Sequence, residues 1–245
     1  MDFEMSIFTL QKNNMKISVC IATYNGAKYI EEQVQSILYQ LSEKDEIIIS
    51  DDGSKDNTLA IIKSLNDTRI KVIHNTLKHG LVSNFENAIK HADGDYIFLS
   101  DQDDIWTSNK VEVCLQHLQN ADLVVHNALL INASGEKSNI DFFSIRGSQS
   151  GYWKNLYKNS FIGCCMAFKS NLLNYILPFP KHILWHDMWI GLTAEKKGKT
   201  FFIPDILLYY RRHGENASPT SEKSSFSRLQ QILYRLQFLY YTTFR

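Results

Sequence analysis

Three carboxylates, Asp101, Asp103 and Asp104, stand within four positions in the stretch YIFLSDQDDIW, directly after the apolar run Tyr96 to Ser100. Like charges this close repel one another and cost stability unless a cation lies among them. A helix cap would need only one oxygen. Clustered carboxylates suit a hard divalent cation, Mg2+ or Mn2+, held by one or two protein oxygens with water and phosphate completing its shell. No GxxxxGK[ST] is present, which excludes a P-loop hydrolase. No GxGxxG follows the first apolar run, which argues against dinucleotide redox chemistry. A carboxylate-held cation without a glycine cradle fits a nucleotide-diphosphate donor whose leaving group needs its charge neutralised.

The surrounding sequence must place those carboxylates. KISVCIA (16–22), EIIIS (46–50), IKVIH (70–74) and YIFLS (96–100) read as strands, rich in β-branched residues. Between them, Ile30, Val34, Ile37, Leu38 and Leu41 recur at helical spacing, which predicts a helix over 27–41. Residues 58–65 and the segment around Phe85, Ala88, Ile89 and Ala92 predict two more. Strands alternating with helices imply right-handed βαβ units and a mostly parallel sheet with helices on both faces. Ligands bind such sheets beyond the carboxyl ends of the strands. All four strands end in polar residues: Thr23-Tyr24-Asn25, Asp51 to Ser54, His74-Asn75 and Asp101 to Asp104. Asp56 and Ser108 read instead as helix caps.

The second half is less regular. Residues 122–131 and 161–168 read as strands flanking a polar loop, 132–151. Helices are expected near 171–176 and over 186–196, and TFFIP and ILLYYRR are strand-like. A Ser-rich stretch, 218–227, separates this body from a final helical segment, 228–241. The 245 residues allow one large domain or two small ones. Lys plus Arg and Asp plus Glu both total 26, a balance that does not suit binding nucleic acid by bulk charge. Four cysteines without a CxxC read as free thiols in a reducing compartment. MDFEMSIFTLQKNNM lacks the basic start and sustained apolar core of a signal peptide, and no run reaches the roughly 20 apolar residues of a membrane span. A cytoplasmic location is expected.

ISVCIATYNGAKYIEEQVQSIL, EIIISDDGSKDNT and ADGDYIFLSDQDDIW together resemble the nucleotide-binding half of a family 2 glycosyltransferase with the GT-A fold. The likeness continues through GCCMAF, HDMWIGL and YYRRHGENAS, across nearly all of 15–217. It is nearest to bacterial enzymes of surface polysaccharide synthesis, many of them rhamnosyltransferases. It implies a GT-A domain over 16–217, Rossmann-like, with a nucleotide-sugar-binding half (16–120) and an acceptor-binding half (121–217). An N-terminal extension (1–15) precedes it, and a linker with an amphipathic C-terminal helix (218–245) follows.

The resemblance implies roles for individual residues. Thr23, Tyr24, Asn25 and Asp52 would hold the nucleoside, Asp52 accepting from the base. Asp101 and Asp103 fall on the family's DxD carboxylates, the first toward ribose or sugar, the second toward the metal. Asp187, in HDMW, falls on the general base, although as an N-terminal cap it would need no chemistry. His213 falls where some GT-A enzymes add a metal or diphosphate contact, and is otherwise structural. Of Arg211 and Arg212, one faces inward on a strand, and Arg211 is assigned to the donor phosphates, with a nearby acidic residue as the other partner it could take. Trp185 and Trp189 would stack on a sugar or pack.

Processive synthases carry QxxRW, which is absent here, so single addition is expected. The implied activity is inverting, metal-dependent transfer from a nucleotide-diphosphate sugar to a saccharide or lipid-linked saccharide. Two rivals are a sugar-phosphate nucleotidyltransferase, which would carry a glycine- and arginine-rich first loop, and a catalytically silent carbohydrate-binding protein. In the tail, Leu229, Ile232, Leu233, Leu236 and Tyr240 recur at helical spacing among arginines. Such a helix either packs on the body or a second subunit, or lies on an anionic membrane at the inner face of the plasma membrane.

Overall fold

The computed structural model describes residues 15–214 and 226–244. The expected N-terminal extension and most of the Ser-rich linker lie outside the described residues.

The first half follows the expected pattern closely. β1 (Ile17–Thr23) lies between β2 (Glu46–Asp51) and β4 (Tyr96–Ser100), and β3 (Ile70–His74) flanks β2, all parallel. β1, β2 and β4 are buried along their whole lengths, which explains their unbroken Ile/Val/Leu character. The crossovers run through α1 (Ile30–Leu38), α2 (Thr58–Ser64) and α3 (Leu81–Lys90). α1 buries Ile30, Gln33, Val34 and Ile37, the stripe its spacing predicts. Asp56 accepts from the Thr58 backbone N–H at 3.0 Å, a local turn at the start of α2. α4 (Lys110–Leu118) also carries an apolar stripe, Val111, Cys114, Leu115 and Leu118.

Beyond β4 the sheet becomes mixed, with the order β3-β2-β1-β4-β8-β6-β9-β5 and β7 on the flank of β6. The strand expected over 161–168 is shorter: Gly163–Cys165 form a 3-10 turn, and only β8 (Met166–Lys169) pairs, antiparallel to β4 and to β6 (Leu123–Ile131). The polar loop expected over 132–151 contains β7 (Lys137–Asp141) and α5 (Phe142–Arg146), the latter capped by Asp141 accepting from the Ser144 N–H. α6 (Tyr152–Tyr157) follows. A 3-10 turn (Ser170–Leu172) leads into α7 (Leu173–Ile176). TFFIP and ILLYYRR join into one strand, β9 (Thr200–Arg211), parallel to β6. Its register slips twice, between the partners His126–Ile203 and Ala128–Leu208. Pro204 lies in the first slip, where its missing N–H removes no ladder bond.

Two elements finish the body. α8 (His186–Lys197) buries every residue from Met188 to Ala194. Trp189 is fully buried, its indole N–H donating to the Ile176 carbonyl at 2.9 Å, and Trp185 packs on Phe238 and Tyr234. Both tryptophans pack. α9 (Arg228–Phe244) lays Phe238 and Thr242 on the body, with Tyr152 and Thr242 in hydroxyl contact at 2.5 Å. All four cysteines are buried and free.

Candidate active site

The polar ends of β1, β2 and β4 lie side by side because the strands are in parallel register: Thr23 opposes Asp51, and Ile21 opposes Ser100. Adjacent acids at the end of β2 have different tasks. Asp51 is buried and accepts from the N–H groups of Gly53 and Ser54 at 3.0 Å, closing the turn. Gly53, at φ +86, occupies the left-handed region that glycine enters without cost. Asp52 points the other way and accepts from the Asn75 side chain (2.7 Å) and the Gly80 N–H (2.9 Å), with His79 Nδ1 at 3.1 Å. Asn25, also at positive φ (49°), takes the Lys55 N–H on its side-chain oxygen. Tyr24 is exposed.

Gln102, the residue between the DxD carboxylates, ties this loop to them. Its Oε1 accepts from Thr23 Oγ1 (2.7 Å) and the Tyr24 N–H (3.0 Å), and its Nε2 donates to the Tyr24 carbonyl (3.1 Å). A Cβ at Gly26 would lie 2.3 Å from Gln102 Oε1, so a side chain there would push the Gln102 amide off these partners. Sequence reasoning passed over Gln102, because partners nearly 80 positions apart leave no spacing signal.

The carboxylates meet the end of β9. The two-residue β5 (Ile105–Trp106) pairs antiparallel with β9, Ile105 opposite Tyr209, which brings 101–104 against 211–213. His213 Nε2 lies 2.7 Å from Asp103 Oδ2. Arg211 is buried and fans out over the protein. Its Nε donates to the Asp103 carbonyl (2.8 Å), one terminal nitrogen reaches the Ala133 carbonyl, and the other pairs with Glu32 at 2.6 Å. The guanidinium also sits 4.7 Å from the Tyr29 ring centroid, and the same ring tilts against His213. The structure therefore supplies the acidic partner, Glu32, that the sequence left as an alternative to phosphate. Glu32 and Tyr29 belong to the site's frame, and neither had a motif to mark it.

Asp104 is buried. One of its oxygens accepts from the Arg211 N–H, and the other has no hydrogen-bond partner. Burial and the charges of Asp103 and Asp101 hold its carboxyl well above the usual range. Burial, then the Asp103 charge, push Asp101 upward too. A cation would relieve both. Among the described residues, the tightest set of metal-ligand atoms is Asp101, Asp104 and Cys164, all within 4.8 Å of one another. The hydrogen bond with Cys165 and burial hold the Cys164 thiol well above its ordinary pKa, and a sulfur ligand is too soft to suit a hard ion. The carboxylate–imidazole pair Asp103–His213 is the better pair of donors for a hard ion, and the strained charge of Asp101 and Asp104 beside it fits a cation there.

Asp187 stands in the first turn of α8, half-buried. One oxygen accepts from the Met188 N–H (2.7 Å), and Asn159 supplies a side-chain hydrogen bond. Burial pushes its carboxyl up to about 6. Its charge is felt at Asp101, which places it on the carboxylate side of the sheet. His186, its neighbour, is stacked on Phe85 and held neutral by burial, its pKa pushed down to about 3. A Cβ at Gly163 would lie 2.4 Å from His186 Nε2, so glycine at 163 lets the 3-10 turn approach the start of α8.

Comparison with known proteins agrees with this architecture. Residues 18–177 match the family model described as Glycosyl transferase family 2, and the chain belongs to that family. It is 30% identical over 230 residues to the dTDP-rhamnosyl transferase RfbG of Shigella flexneri, covering 85% of this chain and 78% of that protein. It is 29% identical over 183 residues to the Escherichia coli UDP-Glc:alpha-D-GlcNAc-diphosphoundecaprenol beta-1,3-glucosyltransferase WfgD, covering 73% and 70%. The fold is similar to that of Staphylococcus aureus TarS residues 1–349 in complex with UDP-GlcNAc. The TM-score is 0.67 at 18% identity, covering 93% of this chain and 72% of that one, a likeness of GT-A fold alone. The protein is a glycosyltransferase with surface-polysaccharide relatives.

Proposed function

We propose that the enzyme is an inverting, metal-dependent transferase that moves one sugar from a nucleotide-diphosphate donor to a lipid-linked saccharide in bacterial surface polysaccharide synthesis. The observation that carries this reading is the meeting of Asp103 and His213 at 2.7 Å beside the charge-strained Asp101, with Asp187 within electrostatic reach. In this reading Thr23, Tyr24, Asn25 and Asp52 hold the nucleoside, and Asp52 exchanges its Asn75 and Gly80 partners for the base. Asp101 takes ribose or sugar hydroxyls. Mg2+ or Mn2+ held by Asp103 and His213 would neutralise charge on the departing diphosphate. Arg211 serves the donor phosphates by fixing the Asp103 backbone and carrying positive charge beside it.

Asp187 does the proton chemistry. With a pKa near 6 it is largely ionised at neutral pH yet basic enough to accept the proton of an acceptor hydroxyl. The hydroxyl oxygen attacks the anomeric carbon as the bond to the diphosphate oxygen breaks and its electron pair leaves with the nucleoside diphosphate. One displacement inverts the anomeric centre. The lipid-linked acceptor is supported by the name of the WfgD relative, whose substrate is a diphosphoundecaprenol saccharide. A cytoplasmic-face location follows from that acceptor reading. Among the described residues no helix is long and apolar enough to cross a membrane.

The test is incubation with a panel of nucleotide sugars and divalent metals, following release of nucleoside diphosphate, then NMR of the product's anomeric centre. Retention of configuration, or full turnover in excess chelator, overturns the proposal.

A further inference from the structure

The last helix, α9, is apolar on two opposite faces, and among the described residues only one is covered. At 100° per residue, Phe238, Thr242 and Tyr234 cluster on the side that meets the body, around Trp185 and Tyr152. Leu229, Ile232, Leu233, Leu236, Tyr240 and Phe244 fall on the opposite side within a third of the helix circumference. Each of these six is between 51% and 74% exposed. A continuous apolar stripe of that size on a folded surface marks a contact site. The neighbouring α6 adds Trp153 and Tyr157, 70% and 72% exposed, and is joined to α9 by Arg235, which donates to the Tyr157 carbonyl and lies over its ring.

Charge identifies the occupant. Cations border this face: Lys154 lies in α6 and Lys158 just after it, Lys196 donates to Thr243 of α9, Arg235 lies over Tyr157, and α9 itself carries two Arg and no acid. A symmetric dimer through this face would set the patch against itself, cation against cation. An anionic surface that accepts aliphatic and aromatic side chains matches both properties. We infer that the outer face of α9, with the aromatics of α6, docks the enzyme on an anionic phospholipid bilayer. This deepens the lipid-linked acceptor reading and rests on it.

The docking face is not a loose anchor. Trp185, two residues before Asp187, is held in the aromatic cluster of α9 by Tyr234, Phe238 and Phe226. Seating α9 on a bilayer therefore fixes the height and tilt of the helix that carries Asp187. The surface presents the active site to an acceptor whose lipid stays in the membrane.

The test uses the full chain and vesicles of phosphatidylglycerol and phosphatidylcholine (about 3:7), compared with pure phosphatidylcholine. The chain is expected to float with the anionic vesicles at low salt and to be released as salt rises. Leu233→Ser/Leu236→Ser/Tyr240→Ser is expected to lower the bound partition at least roughly tenfold, with melting temperature and lipid-free donor hydrolysis unchanged. Leu229→Ser/Phe244→Ser, at the helix ends, should act in the same direction more weakly. Indifference of the parent chain to anionic vesicles, or equal binding by the triple variant, overturns the inference. So does a lipid-free dimer that the triple variant dissolves, which assigns the face to a second copy. Donor hydrolysis without lipid tests the transferase reading separately, so a failure of one leaves the other standing.

Discussion

Along β3, β2, β1 and β4 every pairing is parallel and in continuous register. Along β8, β6, β9 and β5 the pairings are mixed, antiparallel, then parallel, then antiparallel, and β9 slips twice against β6. The charge divides along the same line. Residues 16–120 carry 16 acidic and 10 basic side chains, and residues 121–245 carry 8 acidic and 15 basic. The regular half gathers its carboxylates at one sheet edge by repetition alone, one polar strand end after another. The irregular half contributes single residues, Asp187, Arg211 and His213, each brought in by a particular device: a helix start, a bulged strand, and the two-residue pairing of β5. In the proposed reading, donor binding falls to repetition, and proton transfer and acceptor placement to exceptions.

Substitutions can break that division, and the largest effect belongs to the irregular half. Asp187→Asn removes the proposed proton acceptor and is expected to lower the transfer rate by roughly 10²–10⁴ while donor affinity, read by calorimetry, stays within about threefold. A parallel loss of donor affinity would show that the halves are not separable. The acid limb of kcat/KM should fall about tenfold per pH unit below about 6, because the carboxylate must be ionised to act and burial holds its pKa there.

Next is the donor edge. Asp103→Asn, or excess chelator, should cut transfer by about a hundredfold, as expected when a cation carries leaving-group charge. Full activity under both conditions would remove the metal from the scheme.

The same Asp187→Asn variant has a second, smaller expected signature. Because the folded protein holds this carboxyl above its unfolded value, ionisation costs stability as pH rises from about 4 through 6. The amide has no such cost. The variant should gain roughly 1–3 kcal/mol over the parent at pH 7 and nothing near pH 3.5, by denaturant midpoint at each pH. No gain at pH 7 would mean that Asp187 is better solvated than its burial implies.

Smallest is Gln102→Ala, which cuts three hydrogen bonds between the two donor loops. A five- to tenfold rise in donor KM with little change in kcat is expected, about 1 kcal/mol for part-exposed neutral bonds. A fall in kcat instead would couple Gln102 to the chemistry.

Much of the donor half was legible because its signals are local. YIFLS announces a buried strand, and the three carboxylates after it mark where the sheet edge gathers charge, within eleven residues. α4 was equally legible from Val111, Cys114, Leu115 and Leu118, but it lies in the shadow of the acidic loop before it and went unread. The acceptor half was less legible for a physical reason. Pro204 breaks the period-2 pattern of β9, so a single strand looks like two. β7 is polar and α5 is only five residues long, too short for a periodic signal, and hydrogen bonds of Asn127 and Asp141 fix them where Phe142 enters the core. Glu32, Tyr29 and Gln102 act through contacts with distant parts of the chain, and no spacing rule exposes those.

The bare glycine at 163 constrains how this enzyme can diverge. A methyl group there would sit 2.4 Å from His186 Nε2, so the ring, stacked on Phe85 and one residue before Asp187, would have to shift. A larger side chain at 163 therefore disturbs the start of the helix that carries Asp187. A library built to change the enzyme's substrates is expected to keep more active members when 163 is held as glycine.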